Sequence, residues 1–562
     1  MWPLLTGADA RTWLLALCFL ASLATCVAES ATAHPGGFTF TAPKSGSFGW
    51  GAATAAAALA MQLLLAKESG EEMGEGLPVN GDKDLTWRED EGVTKLVPIA
   101  PPAVTQKLSS AKLPTFSLAE VAKHNARDDL WIVVDERVYD ITSFLDKHPG
   151  GIGPVLNMAG KDCTDVFANY HAARVYKTML PSYLIGEVSG VVVPPHVEDF
   201  RAVRQELLRR GLFETDHRFY AKLGCWLAAL FCGALWLSLA CESASAHMAG
   251  AAVMGLFWQQ LAGVGHDLGH SGVTHSFHTD HRIGSVCAAL MGLSTCWWKS
   301  DHNTHHVVCN SVEHDPNIQH MPLLAVAPGS IAKPFYSSYH AKWFQLDAAT
   351  RAIVSRQHFF FYPLMMVARI NLYIQGWIFL LAKKETIHYR KLEALSLGLF
   401  HLWVGAVMYS MPTSLQSICW ILVAHAVSGL LHVQIVLSHW SMQTYSGHAY
   451  NGAKDEWYIT QLLTTLNVDC PEWMDWFHIG LQFQIEHHLF PRLPRHNLRK
   501  ARELVKGVCK KHNLPYHEPG FFAANLEMWE QLRATARRAA TSKRGSSGFF
   551  ESALWQGANL QG

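Results

Sequence analysis

Seven histidines fall in three short clusters: His266-Asp267-Leu268-Gly269-His270, His302-Asn303-Thr304-His305-His306 and Gln484-Ile485-Glu486-His487-His488. On a helix, the i, i+4 pair and the i, i+3, i+4 set each put their imidazoles on one side, a turn apart. Nitrogen-rich donor sets of this kind suit a first-row transition metal, and seven imidazoles exceed what one four-coordinate zinc uses, so two ions are indicated. A further pair lies upstream. His148 opens an HPGG stretch and His171 follows 23 residues later, after a Gly160-Lys161-Asp162 turn and Phe167. Bis-histidine haem needs two neutral imidazoles on opposite faces of the ring, and Pro149 with the two glycines lets the backbone turn beside it. An earlier HPGG at His34 has Ala57 and Ala58 at 23 and 24 residues, and so has no partner. A haem with both axial positions filled moves single electrons rather than binding oxygen. Iron, unlike zinc, could consume those electrons at the clusters.

The surrounding elements must bring these residues together. From about Pro114 to Gly190 the pattern is compact and soluble: FSLAEVAKHN is helix-like, and WIVVDERVYDIT reads as two short strands around a turn. Apolar stretches at 219–240 and 246–265, and again at roughly 395–411 and 417–438, are near the ~20 residues that cross a bilayer. Residues 359–381 are apolar but interrupted by Arg369, Asn371 and Gln375. A central charge costs about 2.5–3.5 kcal/mol, so this segment is expected to be interfacial. The first and third clusters each follow the second member of an apolar pair, so two hairpins would set all three clusters, and the haem unit, on one membrane face.

Composition agrees with a membrane protein: 20 Trp and only 16% charged residues. Net charge is zero, so nothing asks for nucleic acid. The 12 cysteines show no CxxC pair or regular spacing, which fits reduced thiols. Residues 1–67 join a short apolar run (12–28) to an Ala/Ser/Thr/Gly-rich stretch lacking Asp and Glu (31–67). They read as a two-part targeting leader, or as a membrane anchor with an Ala-rich extension. Residues 68–113 read as a linker, 114–190 as the haem-binding unit, 191–525 as the membrane unit and 526–562 as a flexible tail.

Residues 131–171, WIVVDERVYDITSFLDKHPGG through GKDCTDVFANYH, resemble the cytochrome b5 haem domain, with His148 and His171 at its two axial ligands. The boxes HDxGH, HNxHH and QxxHH resemble those of membrane fatty-acid desaturases, in the cytochrome b5-fused front-end branch, over roughly residues 114–515. The flanking WWKSDHNTHHVVCNSVEHDPNIQHMP and VDCPEWMDWFHIGLQFQIEHHLFPRLPRHNLRKA belong to the same resemblance. It implies a mainly α fold: a cytochrome b5-like α+β domain fused to a four-span helical desaturase domain with a cytosolic histidine-rich cap. It also implies haem b, two iron ions, O2 as co-substrate and an NAD(P)H-dependent cytochrome b5 reductase as electron donor. The metal ligands would be His266, His270, His302, His305, His306, His487 and His488, with His439 of VLSHW as another.

Gln484 replaces the first histidine of a plain HxxHH box, so it either ligates directly, binds through water or shapes the substrate pocket. Asp267, Asp301 and Asp315 are candidate outer carboxylates, Asp267 foremost. His275, His278 and His281 are expected as polar residues on an exposed segment or as supports for the ligands. His425 and His432 share a helical face with His439. The implied reaction is O2-dependent introduction of a double bond into a lipid chain on its carboxyl or headgroup side. HDLGHSGVTHSFHTD, NSVEHDPNIQH and VDCPEWMDWFH favour a sphingolipid Δ8 type; acyl-lipid Δ4, Δ5, Δ6 and Δ8 types share the boxes. The rivals are a membrane di-iron hydroxylase and a non-enzymatic haem carrier, the latter leaving the clusters unexplained. The location implied is the endoplasmic reticulum membrane, with a plastid membrane as the alternative raised by the leader.

Overall fold

The computed structural model describes residues 85–90, 93–98, 113–382, 387–450 and 456–542. The leader, His34 and residues 543–562 lie outside the described residues. Within the expected linker, β1 (Leu85–Asp90) and β2 (Val93–Pro98) form an antiparallel hairpin.

A five-stranded sheet follows, made of β3 (Thr115–Phe116), β4 (Asn125–Ala126), β5 (Asp129–Val134), β6 (Arg137–Asp140) and β7 (Leu184–Val188) in the order β3-β7-β6-β5-β4. The turn between β5 and β6 is Asp135-Glu136, both at positive φ, the hairpin geometry whose twist matches the flanking strands. Helices α1 (Ile152–Asn157), α2 (Thr164–Tyr170) and α3 (Ala173–Thr178) sit between β6 and β7 and carry the haem candidates at their edges.

Beyond α4 (Pro195–Arg209), the regular structure among the described residues is helical apart from a small hairpin of β8 (Phe335–Ser337) with β9 (Lys342–Phe344). The helices that frame the clusters are α5 (His217–Leu239), α6 (Ala244–Gly269), α7 (Phe277–Met291) and α8 (Thr295–Val307). Next come α9 (Gln357–Met365), α10 (Arg369–Ala382), α11 (Arg390–Tyr409), α12 (Ser414–Ser428) and α13 (Leu430–Leu437). The chain continues through α14 (Trp457–Thr464), α15 (Gln484–Leu489), α16 (Leu498–His512) and α17 (Phe521–Thr541). Several begin on side-chain caps: Asp216, Ser243, Ser276, Ser294 and Thr413 each accept from an amide in the first turn. Such caps are worth about 1 kcal/mol each and fix where the helix starts.

Among the described residues, three helical segments are long and apolar enough to cross a membrane: α5, α11, and α12 with α13. The bent pair α9 and α10, turning by 73°, makes a fourth if it counts as one broken span. The four spans expected from sequence included α6, which is not among these. Its 26 residues would reach about 39 Å, but it lies inside the bundle and is less apolar. Gln259 and Gln260 on it are buried and donate to the carbonyls of Phe477 and Trp476. Bulky apolar residues exposed on α5 (Trp226, Trp236), α11 (Leu402) and α12 (Leu415, Ile418, Leu422) form an outward surface suited to lipid. Arg369, at the start of α10, is fully buried, bonded to the Met291 carbonyl and the Tyr373 hydroxyl. Residues 526–541, expected as a tail, form most of α17, whose Met528, Leu532 and Ala536 are buried.

Candidate haem site and metal centre

His148 and His171 face one another with ring centroids 6.1 Å apart. Iron–imidazole bonds of ~2.0 Å on opposite faces of a haem would set the centroids about 6.3 Å apart. His148 Nδ1 donates to the Gly151 carbonyl at 2.8 Å and His171 Nδ1 to the Phe167 carbonyl at 3.1 Å. Both rings are thereby fixed in the tautomer whose Nε2 is the free donor atom. Burial lowers both pKa values, His171 to about 3, with the facing His148 adding to the shift, so both stay neutral. Gly151 lies at φ +92°, a conformation that side chains disfavour, and the turn depends on it. The residues therefore fit a haem.

The HPGG loop and α1 rest on α8. Asn303 donates to the Gly150 carbonyl at 3.2 Å, and a Cβ on Gly153 would stand 2.3 Å from Thr304 Oγ1. Tyr170, beside His171, packs edge-on to His306 at 6.2 Å between centroids. One face of α8 thus meets the haem loop while the other carries the second histidine cluster.

The clusters meet in two groups. His266, His270, His302 and His487 form one, and His305, Cys309, His439 and His488 the other; within each, the donor atoms lie within 4.8 Å of one another. His306 bridges them. Its Nε2 is 2.9 Å from His302 Nε2 and 3.1 Å from His487 Nε2, and its ring stacks on His488 at 4.0 Å. Two imidazoles at right angles on one ion with ~2.1 Å bonds would have nitrogens about 3.0 Å apart. The nitrogens His266 Nε2, His270 Nε2 and His488 Nε2 are buried without a hydrogen-bond partner. Burial holds His302, His306, His487 and His488 well below the usual histidine pKa, hence neutral and able to ligate. This donor set fits two transition-metal ions.

Neighbouring groups orient the rings. His305 Nδ1 donates to Asp315 Oδ2 at 2.9 Å, and the carboxylate is itself held by the Asn310 and Asn317 amides. His488 Nδ1 donates to Gln461 Oε1 at 2.9 Å, and Gln461 donates in turn to the His306 carbonyl. His439 Nδ1 faces the Thr464 carbonyl at 3.3 Å. Such partners fix tautomer and ring direction. Asp315 takes the role expected foremost of Asp267. Asp267 Oδ1 is 3.6 Å from His266 Nδ1, beyond hydrogen-bond reach, and its carboxylate instead meets Tyr220 and Arg495 at 2.8 and 2.9 Å. Asp301 bonds Asn317.

Gln484 lines a cleft with His266 and His487, its Oε1 buried without a partner. His425 and His432 donate from Nδ1 to the Ile421 and Met365 carbonyls, and neither falls in the two histidine groups. His281, expected on an exposed segment, is buried. Cys309, which the sequence reading passed over, sits 3.4 Å from His439 Nδ1, and burial raises its thiol pKa well above normal. Its only sequence signal is its position three residues after His306.

Residues 117–189 match the cytochrome b5-like haem/steroid binding domain family and residues 243–520 the fatty acid desaturase family. An acyl-lipid (9-3)-desaturase of Borago officinalis is 37% identical over 433 residues, 75% of this chain and 93% of that protein. A Delta(8)-fatty-acid desaturase of the same plant is 35% identical over 457 residues, covering 80% and 98%. A Delta 8-(E)-sphingolipid desaturase of Kluyveromyces lactis is 34% identical over 412 residues, covering 70% of each. With the haem pocket seated on the helix that carries the second histidine box, the chain belongs to the cytochrome b5-fused fatty-acid desaturases and is a front-end lipid desaturase, an oxidoreductase.

Proposed function

We propose that the chain desaturates a membrane lipid at the Δ8 position, on a sphingoid base first and on a fatty-acyl chain as the second reading. The sphingoid reading rests on HDLGHSGVTHSFHTD and NSVEHDPNIQH, and the names of relatives carry Δ8 for both substrate classes. His266, His270, His302 and His487 would hold one iron; His305, His439 and His488 would hold the other, with His306 between them. Gln484 stands by the first group as a lining residue of the substrate cleft. When bound, the two irons supply O2-dependent removal of hydrogen from an unactivated methylene, and haem b on His148 and His171 supplies single electrons from an NAD(P)H-dependent cytochrome b5 reductase.

The protein's own part is positioning. Asp315 and Gln461 accept the Nδ1 protons of His305 and His488, which keeps each Nε2 turned inward. Burial around the clusters excludes water from the donor atoms. The bundle would cross the membrane with four helical spans, the clusters capping its cytosolic face beside the haem domain. The endoplasmic reticulum membrane is the proposed location, with a plastid membrane as the alternative.

The observation that carries this reading is the convergence of eight imidazoles from four chain segments against the haem loop's own support helix. Expression in a desaturase-poor host, followed by mass spectrometry of separated acyl and sphingoid fractions, tests it. A new alkene at the eighth carbon of the sphingoid fraction is expected. His305→Ala should abolish it while the haem spectrum persists. A new hydroxyl without an alkene would reject the reaction, and an alkene confined to acyl chains would reject the sphingoid substrate.

A further inference from the structure

A third cluster of donor atoms lies outside the two groups. His281 on α7, Cys296 in the first turn of α8 and Glu393 in the first turn of α11 are all buried, and their donor atoms lie within 4.8 Å of one another. His281 Nε2 is 3.3 Å from Glu393 Oε1 and 3.6 Å from Cys296 Sγ. One N–H cannot serve both neighbours well, and the carboxylate separation exceeds the 2.7–3.2 Å of ordinary N–H···O bonds. A tetrahedral zinc, with bonds of ~2.05 Å to nitrogen or oxygen and ~2.3 Å to sulfur, holds nitrogen and oxygen ligands about 3.4 Å apart and nitrogen and sulfur about 3.6 Å apart. The two spacings here are those edges. His281 Nδ1, on the far side of the ring, has no hydrogen-bond partner, so hydrogen bonding alone leaves this buried imidazole poorly satisfied.

The carboxylate is prepared for such a role. Glu393 Oε2 accepts from the Thr295 amide at 3.0 Å, and Oε1 lies 3.4 Å from Ser285 Oγ. The His281 ring stacks on Tyr389 at 4.9 Å between centroids. Cys296 Sγ is also 3.1 Å from the His388 carbonyl oxygen, which accepts the S–H when no metal is held. We propose that His281, Cys296 and Glu393 bind one zinc ion, apart from the two irons. Binding would release the Cys296 thiol proton to solvent, leaving the fourth position to the His388 carbonyl or to a water beside it. The ion would add a joint to three helices already linked by the Thr295 and Ser285 bonds to Glu393, six residues ahead of His302 on α8. It would brace the helix that bears the second histidine box.

The test uses the full chain purified in detergent after growth with zinc and iron, without chelators. Elemental analysis should find about one zinc per chain besides iron, and zinc-edge X-ray absorption should show one sulfur at ~2.3 Å among nitrogen and oxygen neighbours. Cys296→Ser should remove that sulfur signal, and Glu393→Gln or His281→Gln should lower zinc to background, with haem retained in each. Should a variant misfold, the wild-type absorption spectrum still decides. Wild-type protein without zinc, a zinc shell lacking sulfur, or zinc and sulfur unchanged in Cys296→Ser would each overturn the proposal.

Discussion

At the scale of single residues, the groups that orient a ligand matter as much as the ligand. Asp315 is buried, bonds His305 Nδ1 and is held by two backbone amides. Asp315→Asn keeps the shape but replaces a charged acceptor by a neutral amide, so metal affinity should fall roughly 10–100-fold, measured as iron retained against a competing chelator. Tyr170 precedes His171 in the chain and packs edge-on to His306, its hydroxyl buried without a partner. Burial raises its pKa well above normal, so it stays a neutral aromatic bridge. Tyr170→Leu should leave the haem spectrum unchanged and slow haem re-oxidation severalfold in stopped-flow absorbance. The clusters were legible in the sequence because helical spacing alone puts their imidazoles on one side. Asp315 stood among the candidate carboxylates but behind Asp267, because its contact depends on how the loop after α8 folds back. Cys296 and Glu393 were invisible for a related reason: they stand 15 and 112 residues from His281, on other helices.

At the scale of elements, α8 is the piece on which both sites depend. Gly153 is the point of closest approach, where any side chain would strike Thr304 Oγ1. Overpacking of this kind costs roughly 1–3 kcal/mol, so Gly153→Val should cut turnover by about fivefold or more while the haem spectrum is kept. Chemical reduction of the haem should proceed as in the wild type, which separates lost docking from lost cofactor. The apolar stretches at 219–240, 395–411 and 417–438 were plain from length and hydropathy, whereas 246–265, expected to pair with the first, forms the buried α6. The bend between α9 and α10 was not plain. Its interrupting Arg369 signalled a difficulty for lipid, yet the solution is tertiary: the guanidinium is buried against the Met291 carbonyl and lies 5.4 Å from the Trp258 ring centre. A local pattern prices the charge but cannot show which neighbours satisfy it.

At the scale of the whole molecule, the connections α5–α6 and α11–α12 lie at the far ends of their helices from the histidine clusters. An N-glycosylation acceptor placed between Ala240 and Ser243, or between Ser410 and Thr413, should be modified in microsomes, whereas one in the β5–β6 turn should not. The test reads the number of crossings and their direction together. A second consequence follows from the haem loop lying on α8 within one polypeptide. Hand-over between the two sites needs no collision between separate molecules, so it should be a first-order event, unaffected by dilution of the enzyme. Ionic strength should act only on the encounter with the external reductase, and once that donor saturates, turnover should lose its dependence on salt.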